Sequence, residues 1–275
     1  MLKGLVISSG GTKKLEKTLE EAGLPFVLQA GRSPADFLIS AGEMGALPGE
    51  LLALVDTDEA EASALKAGLI CIGYLNPEKA RQELWGCRVL MESLDGVDTA
   101  LLTNIHTRAL GLPVTIAETP RLVIREMTLD DPFEEDKEKA GAYIECMYGL
   151  YQFGMWTMVE KDSGRVIGRA GFGIADYLGT PEVDFGYTVE EPFRRRGYAF
   201  EACLEVLRYA AEVLEFEETA AYIEEGNEAS LRLIEKLGFH RTDSFEYEGK
   251  RMYRYAVELS EYSKLYKKYE QMTQK

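Results

Sequence analysis

From residue 2 to residue 74, short unbroken apolar runs alternate with amphipathic segments, and a glycine or proline stands at nearly every junction. The runs cover 2–8, 25–28, 51–55 and 69–74, and the segments between them predict helices near 12–22, 34–44 and 58–67. A strand that is apolar at every residue has no solvated face. It belongs in a parallel sheet covered on both sides by crossover helices. This pattern restricts the first part of the chain to a small α/β layer domain, read over residues 1–112.

The pattern then changes. Residues 108–120 hold Gly111, Pro113 and Pro120 and lack a helix period, so the domain junction is placed there. Beyond it, strands are expected at 121–127, 155–160, 165–174, 183–189, 219–224, 239–247 and 250–258, with helical stretches near 130–150, 196–213 and 227–237. Lys161-Asp162-Ser163-Gly164 reads as a hairpin turn. The fold class is therefore α/β in two parts, a Rossmann-like parallel-sheet domain followed by an α+β domain over 118–260 whose mixed sheet is mostly antiparallel. Residues 261–275 read as a frayed helical tail rich in Lys and Tyr. A chain of 275 residues is long enough for two domains that each bury a core.

Charge narrows the partners. Lys and Arg number 31 against 47 Asp and Glu, a formal net charge of −16. Such a chain is a poor general ligand for phosphate backbones and a better one for a cation, so no nucleic-acid partner is expected. Cys71, Cys87, Cys146 and Cys203 show no metal-ligand spacing and read as buried small hydrophobes of a reducing compartment. With only His106 and His240, a multi-histidine metal site or a serine-hydrolase relay has little material, and no metal is assigned. The opening apolar run is too short for a signal segment, and no run reaches a membrane span. A cytoplasmic location with no membrane partner is expected.

One run stands out against the acidic background, Glu191-Pro192-Phe193-Arg194-Arg195-Arg196-Gly197-Tyr198-Ala199. It follows an apolar strand and opens a helix. Glycine permits close backbone approach, the helix start offers unpaired N–H donors, and the arginines add forked donors, which together suit a pyrophosphate. Taken alone, the run is equally an exposed basic turn. Around it stand Asp184-Phe185-Gly186-Tyr187-Thr188-Val189, then Phe200-Glu201-Ala202, Asn227-Glu228-Ala229-Ser230 and Glu235-Lys236-Leu237-Gly238-Phe239. In this order and spacing they resemble the GNAT N-acetyltransferase superfamily. Glu118-Thr119-Pro120-Arg121-Leu122-Val123-Ile124-Arg125 and the Asn-x-x-Ser resemble its ribosomal-protein N-acetyltransferase-like branch.

The resemblance implies acetyl-CoA as co-substrate. Its pyrophosphate would lie on the backbone from Arg194 through Arg195, Arg196, Gly197 and Tyr198 to Ala199, and its pantetheine arm along Tyr187, Thr188 and Val189 on a strand splayed from its neighbour. Asn227 and Ser230 would sit beside the thioester, although Asn227 equally suits a helix N-cap. Direct attack by an amine needs a base, for which Asp184 is expected, acting through a water, with Glu224 and Glu225 as rivals and a solvated carboxylate as the plain alternative for each. Many members of the superfamily carry an acidic phenol seven residues after the asparagine. That position here is Ile234, which cannot donate a proton, so Ser230 is the remaining candidate acid.

Tyr143, Tyr148, Tyr151, Phe153 and Trp156 form either core packing or an acceptor wall. In the first domain, Gly31-Arg32-Ser33-Pro34, Asp56-Thr57-Asp58 and the segment from Ala62 to Gly73 resemble haloacid dehalogenase-like hydrolases. The nucleophile pair that begins those enzymes is missing, since the first strand ends in Ser8-Ser9-Gly10, so this domain reads as truncated, degenerate and without phosphatase activity. Its expected roles are substrate contacts, dimerisation to a homodimer, or stability. The leading expectation is an N-acetyltransferase acting on a primary amine, either a protein N-terminus or a small molecule. An acyl-CoA-binding sensor is the alternative, and a bifunctional phosphatase-acetyltransferase is a third.

Overall fold

The computed structural model describes residues 1–29, 33–260, 262 and 266. The chain divides into two compact units, Met1–Leu112 and Pro113–Lys275. The first unit contains β1 (Gly4–Ser8), α1 (Lys13–Ala22), β2 (Phe26–Leu28), α2 (Pro34–Glu43), β3 (Leu51–Val55), α3 (Asp58–Lys66), β4 (Ile70–Tyr74), β5 (Val89–Met91) and α4 (Thr99–Ala109). The five strands form one sheet in the order β2-β1-β3-β4-β5, and every neighbouring pair is parallel.

The unbroken apolar runs are explained by the two faces of this sheet. Leu5, Ile7, Leu52 and Leu54 pack with Leu15 and Leu19 of α1 and Leu102 and Ile105 of α4. Their neighbours Val6, Ala53 and Val55 point to the other side, against Phe37 of α2 and Ala60 and Ala64 of α3. The expected strand and helix positions agree with these elements to within a few residues. β5 and α4 were not anticipated, because a three-residue edge strand and a helix whose apolar stripe is broken by Thr103, Asn104 and Thr107 leave a weak periodic signal.

The second unit contains β6 (Thr115–Glu118), β7 (Leu122–Arg125), α5 (Lys137–Tyr143), a π-helical stretch over Ile144–Tyr151, β8 (Met155–Glu160), β9 (Val166–Ala175), β10 (Glu182–Val189), α6 (Tyr198–Glu212), β11 (Glu218–Glu224), α7 (Glu228–Lys236), β12 (His240–Tyr247) and β13 (Lys250–Glu258). The eight strands run in the order β12-β13-β11-β10-β9-β8-β7-β6. All neighbours are antiparallel except β10 and β11. The segment expected to be a linker thus contributes a strand, β6, which is short enough to lie between Pro113 and Pro120.

One core fills the space between sheet and helices. Trp156, Phe172, Phe185, Cys203, Val206, Leu207 and Ile234 are among its buried members. Tyr148, Phe153 and Trp156 belong to this core, and the Tyr148 hydroxyl donates to the Met155 carbonyl and accepts the Met127 N–H. Of the five aromatics weighed as an acceptor wall, only Tyr151 is exposed. Cys71 and Cys203 are buried, whereas Cys87 is half-buried and Cys146 is exposed on the π-helical stretch, against the expectation that all four are buried. Among the described residues no helix is long and apolar enough to cross a membrane.

A buried ion pair braces β7. Asp131 has a side chain 4% exposed and takes both Arg125 guanidinium nitrogens at 2.7 and 2.8 Å, the Thr157 hydroxyl at 2.7 Å and the Thr128 N–H at 3.0 Å. Burial raises its pKa, but the arginine and these hydrogen bonds outweigh burial and hold the carboxyl below the usual range. Asp131→Asn, which leaves Arg125 without its counter-charge, is expected to destabilise the second unit by about 3 kcal/mol at pH 7. The wild type keeps this contribution above the ordinary carboxylate pKa and loses it as pH falls through the depressed one. Urea midpoints of wild type and variant should therefore converge in acid; a constant gap would contradict this.

Candidate active site

β10 and β11 are parallel neighbours joined at a single backbone pair, Asp184 opposite Ala220. The Thr219 hydroxyl donates to the Val183 carbonyl at 3.0 Å on the joined side. Toward Val189 and Glu224 the strands part. Each keeps its outer ladder, β10 with β9 and β11 with β13, so the inner edges of the gap carry backbone groups that need other partners.

A cavity of about 610 Å³ opens at this gap. Tyr187, Thr188 and Val189 form one wall, Asn227, Ala229 and Ser230 another, and Arg194, Arg195, Gly197, Tyr198 and Ala199 close the end. The structure thus brings together every residue expected to hold the cofactor except Arg196, which is not part of the wall. Its guanidinium lies 5.7 Å from the Phe193 ring centre, and its carbonyl accepts from Arg121. Arg194 is held the other way, its Nε donating to the Val189 carbonyl at 2.8 Å.

The turn into α6 needs two residues in the left-handed region, Arg195 at φ 59° and Gly197 at φ 84°. Gly197 adopts it without the strain a side chain adds. The first N–H taken up behind this turn is that of Glu201, by the Gly197 carbonyl. The Arg194 N–H already donates to the Glu191 carbonyl at 3.2 Å, so the amides left without a backbone acceptor among the described residues are those from Arg195 to Phe200, at the positive end of the helix dipole. Three neighbouring cations and this amide cluster are suited to an anion.

The turn is clamped from the link between β6 and β7. Arg121 Nε donates to Glu201 at 2.7 Å, Arg121 Nη1 to the Arg196 carbonyl at 3.0 Å, and the Thr119 hydroxyl to Glu201 at 2.6 Å. The Arg121 guanidinium also lies 4.3 Å from the Tyr198 ring centre, and the Tyr198 hydroxyl donates to Glu160. The work of Thr119 and Arg121 on a turn some 75 residues away depends on strand order and has no local sign in the sequence.

A smaller cavity of about 190 Å³ shares Tyr187, Asn227 and Ser230 with the first and adds Gly186, Tyr222, Glu224 and Ile234. Its walls come from both faces of the parted strands. The Asn227 side-chain oxygen accepts the Ser230 N–H at 3.2 Å, so Asn227 caps α7 and lines both cavities. The Tyr187 hydroxyl donates to Ser230 Oγ at 3.1 Å. Burial, chiefly, pushes the Tyr187 phenol above its ordinary pKa. A phenol therefore stands beside Ser230 in the gap, from the strand rather than from the helix position that Ile234 fills. Glu224 is ion-paired to Lys250 at 2.9 Å, and Glu225 accepts from the Tyr253 hydroxyl. Asp184 lines neither cavity. Its half-buried carboxylate lies over Gly173, where a Cβ would come within 2.7 Å of it, and burial raises its pKa.

In the first unit, Asp56 is buried and accepts Asn76 Nδ2 at 2.8 Å and the Gly10 N–H at 3.3 Å, with Lys79 Nζ at 4.0 Å. Asp58 instead accepts the N–H groups of Glu83 and Leu84. The two carboxylates tie down different loops. Ser33 caps α2 in a reciprocal pair with Asp36, while Gly31 and Arg32 lie outside the described residues.

Residues 108–240 match the sequence profile of the Acetyltransferase (GNAT) domain. The chain is 30% identical over 95 residues to the uncharacterized N-acetyltransferase YjdG of Bacillus subtilis, which covers 33% of this chain and 54% of that protein. It spans about half the length of the first curated relatives it matches. Among solved structures, yncA from Salmonella typhimurium, determined with its cofactor acetyl-CoA, matches at 23% identity and TM-score 0.39 over 46% of this chain and 75% of that one. The ribosomal-protein-S5-alanine acetyltransferase from Vibrio fischeri matches at 14% identity and TM-score 0.45 over 54% and 98%.

Removing the clamp tests the turn. Arg121→Gln is expected to weaken acetyl-CoA binding about tenfold, because the loop carbonyl of Arg196 and the Glu201 carboxylate lose their shared donor. Calorimetric titration against wild type measures this, and an unchanged dissociation constant would remove the clamp from the binding account.

Proposed function

We propose that the second unit transfers an acetyl group from acetyl-CoA to a primary amine, by direct attack within a ternary complex. The observation that carries this reading is the gap between β10 and β11, where an anion-suited turn, an open strand edge and the Tyr187–Ser230 pair line one cavity. The thioester supplies an activated acyl carbon and a thiol leaving group whose pKa is near ~8.5.

The pyrophosphate would lie on the turn from Arg194 to Ala199, on the amides from Arg195 onward, with Arg194 and Arg195 beside it, and the pantetheine arm would run along Tyr187, Thr188 and Val189, whose last carbonyl is already held by Arg194. A backbone N–H of that edge holds the charge that develops on the carbonyl oxygen. Asp184 receives the amine proton through a water, helped by a pKa above the ordinary carboxylate range. Ser230, hydrogen-bonded to the Tyr187 phenol, protonates the departing sulfur. Glu224, already ion-paired, is the weaker base. The acceptor is a protein N-terminus or a small-molecule amine, and the partners include neither nucleic acid nor membrane, consistent with a cytoplasmic enzyme. The first unit is read as a truncated, degenerate haloacid dehalogenase-like domain of Rossmann-like build, which supplies stability, substrate contacts or a homodimer interface.

Acetyl-CoA titration followed by thiol release with a panel of amines tests the reading. Binding with amine-dependent release supports it; binding without release from any amine favours an acyl-CoA sensor, and no binding discards both. Asp184→Asn is expected to lower kcat/KM about 100-fold. The activity lost in the wild type as pH falls through the raised Asp184 pKa should be absent from the variant's profile. Ser230→Ala and Tyr187→Phe are expected to lower kcat more than they raise KM for acetyl-CoA, and unchanged turnover in both would remove the acid role.

A further inference from the structure

Four aromatic rings form a cluster apart from the core of the second unit. Tyr177, in the loop after β9, lies 4.7 Å from Tyr222 of β11, 4.8 Å from Tyr247 of β12 and 6.1 Å from Phe245, between ring centres. None of the four belongs to the hydrophobic core or to the partly buried side chains packed against it. Tyr177 and Tyr247 keep 37% and 42% of their surface exposed. The Tyr222 hydroxyl is held by Glu182, so the cluster is fixed from the sheet and presents the rings of Tyr177 and Tyr247 to solvent, a surface on which another molecule can dock. Tyr222 joins this cluster to the gap, since it touches the Tyr177 ring and also lines the smaller cavity.

The charge around the cluster is one-sided. The nearby cations are committed, Arg254 to Glu182 and Glu218 and Lys250 to Glu224. Asp184 and Glu248 make no ion pair within 4 Å among the described residues, though Glu248 helps raise the Lys250 pKa, and both carboxylates lie close enough to Tyr177 to help burial raise its hydroxyl pKa. Electron-rich ring faces beside unpaired carboxylates attract an ammonium group and repel anions.

The geometry points to a second cation subsite, formed by Tyr177, Tyr247 and Glu248, that selects a dicationic aliphatic amine as the acetyl acceptor. This rests on the acetyl-transfer reading above. One nitrogen passes Tyr222 and enters the gap beside the Tyr187–Ser230 pair; the other stays protonated on the rings. In the transfer, the C–N bond forms and the C–S bond breaks. The attacking nitrogen, bound as an ammonium, gives one proton to Asp184 through water before attack and a second, once the C–N bond has formed, to the Ser230 oxygen as Ser230 passes its own proton to the departing thiolate. The distal ammonium is unchanged.

Straight-chain diamines and monoamines of equal length, compared in acetyl-CoA-dependent thiol release, provide the test. Calorimetric titration of the same amines into the CoA-bound protein reads the subsite without turnover. The wild type is expected to favour the diamine about tenfold in kcat/KM, and Tyr177→Leu and Glu248→Gln, both at exposed positions, should each cut that preference about fivefold through KM rather than kcat. Equal kcat/KM for the two classes, or a preference that survives both substitutions, would overturn the subsite. So would the absence of diamine binding. Diamine binding that both substitutions weaken, without thiol release, would uphold the subsite and overturn acetyl transfer. Thiol release with no diamine preference would do the reverse.

Discussion

The parting of β10 and β11 is the constraint on which the second unit depends. Parallel neighbours in the middle of a sheet ordinarily satisfy each other's backbone groups along their whole length. Here the pairing stops after Asp184 and Ala220, yet both strands run on for several residues, held by β9 and β13 on their outer sides. The open inner edges therefore persist without loss of either strand. The chain between these strands forms α6, whose start lies at the wide end of the gap and turns its own unpaired amides toward it. Two sets of unsatisfied donors, one from a strand edge and one from a helix start, thus face one space. Both follow from the same topological feature.

The charge distribution follows this geometry. At the α6 end, Arg194 and Arg195 reach the cavity wall, while Arg121 is used up against Glu201 and the loop carbonyl. Division of labour among these cations is needed because an exposed arginine alone does not fix a loop; the bidentate pairing with a helix carboxylate does. Around the Tyr177 cluster the carboxylates outnumber free cations, with Asp184 and Glu248 in no close ion pair among the described residues. A net charge of −16 is therefore not spread evenly over the function. It leaves one anion-suited corner, and the proposed cation subsite lies apart from it.

The elements that were legible in the sequence are those whose signals are local. Unbroken apolar strands with glycine or proline at their ends, the Arg-rich turn before α6 and the Asn227 cap of α7 each lie within a few residues of their own cause. Where the cause is tertiary, the sequence is silent. Tyr187 and Ser230 are 43 positions apart, Arg121 and Glu201 are 80 apart, and each pair meets only once the strand order is set. The four rings from Tyr177 to Tyr247 come from three separate segments, while the aromatics that are close in sequence, Tyr148, Phe153 and Trp156, turn out to be core. Cys146 shows the same limit, since an apolar run in a helical stretch does not reveal which side of the helix is wet.

Two carboxylates of this sheet show what separates a structural acid from a chemical one. Asp131 and Asp184 both suffer desolvation. Asp131 is surrounded by a guanidinium, a hydroxyl and an N–H, so its pKa is lowered, and the folded state grows relatively more stable as pH rises through that range. Asp184 has only its own backbone amide to offset burial and a repelling Glu182 nearby, so its pKa is raised. The folded state then binds a proton more readily than the unfolded chain, and this residue's contribution falls as pH rises from the ordinary carboxylate pKa to the raised one. A packing optimum would replace Asp184 with a neutral side chain. Gly173 leaves room for its carboxylate, so the fold keeps an acid whose charge is costly at rest, and the proposed role as base would draw on that cost.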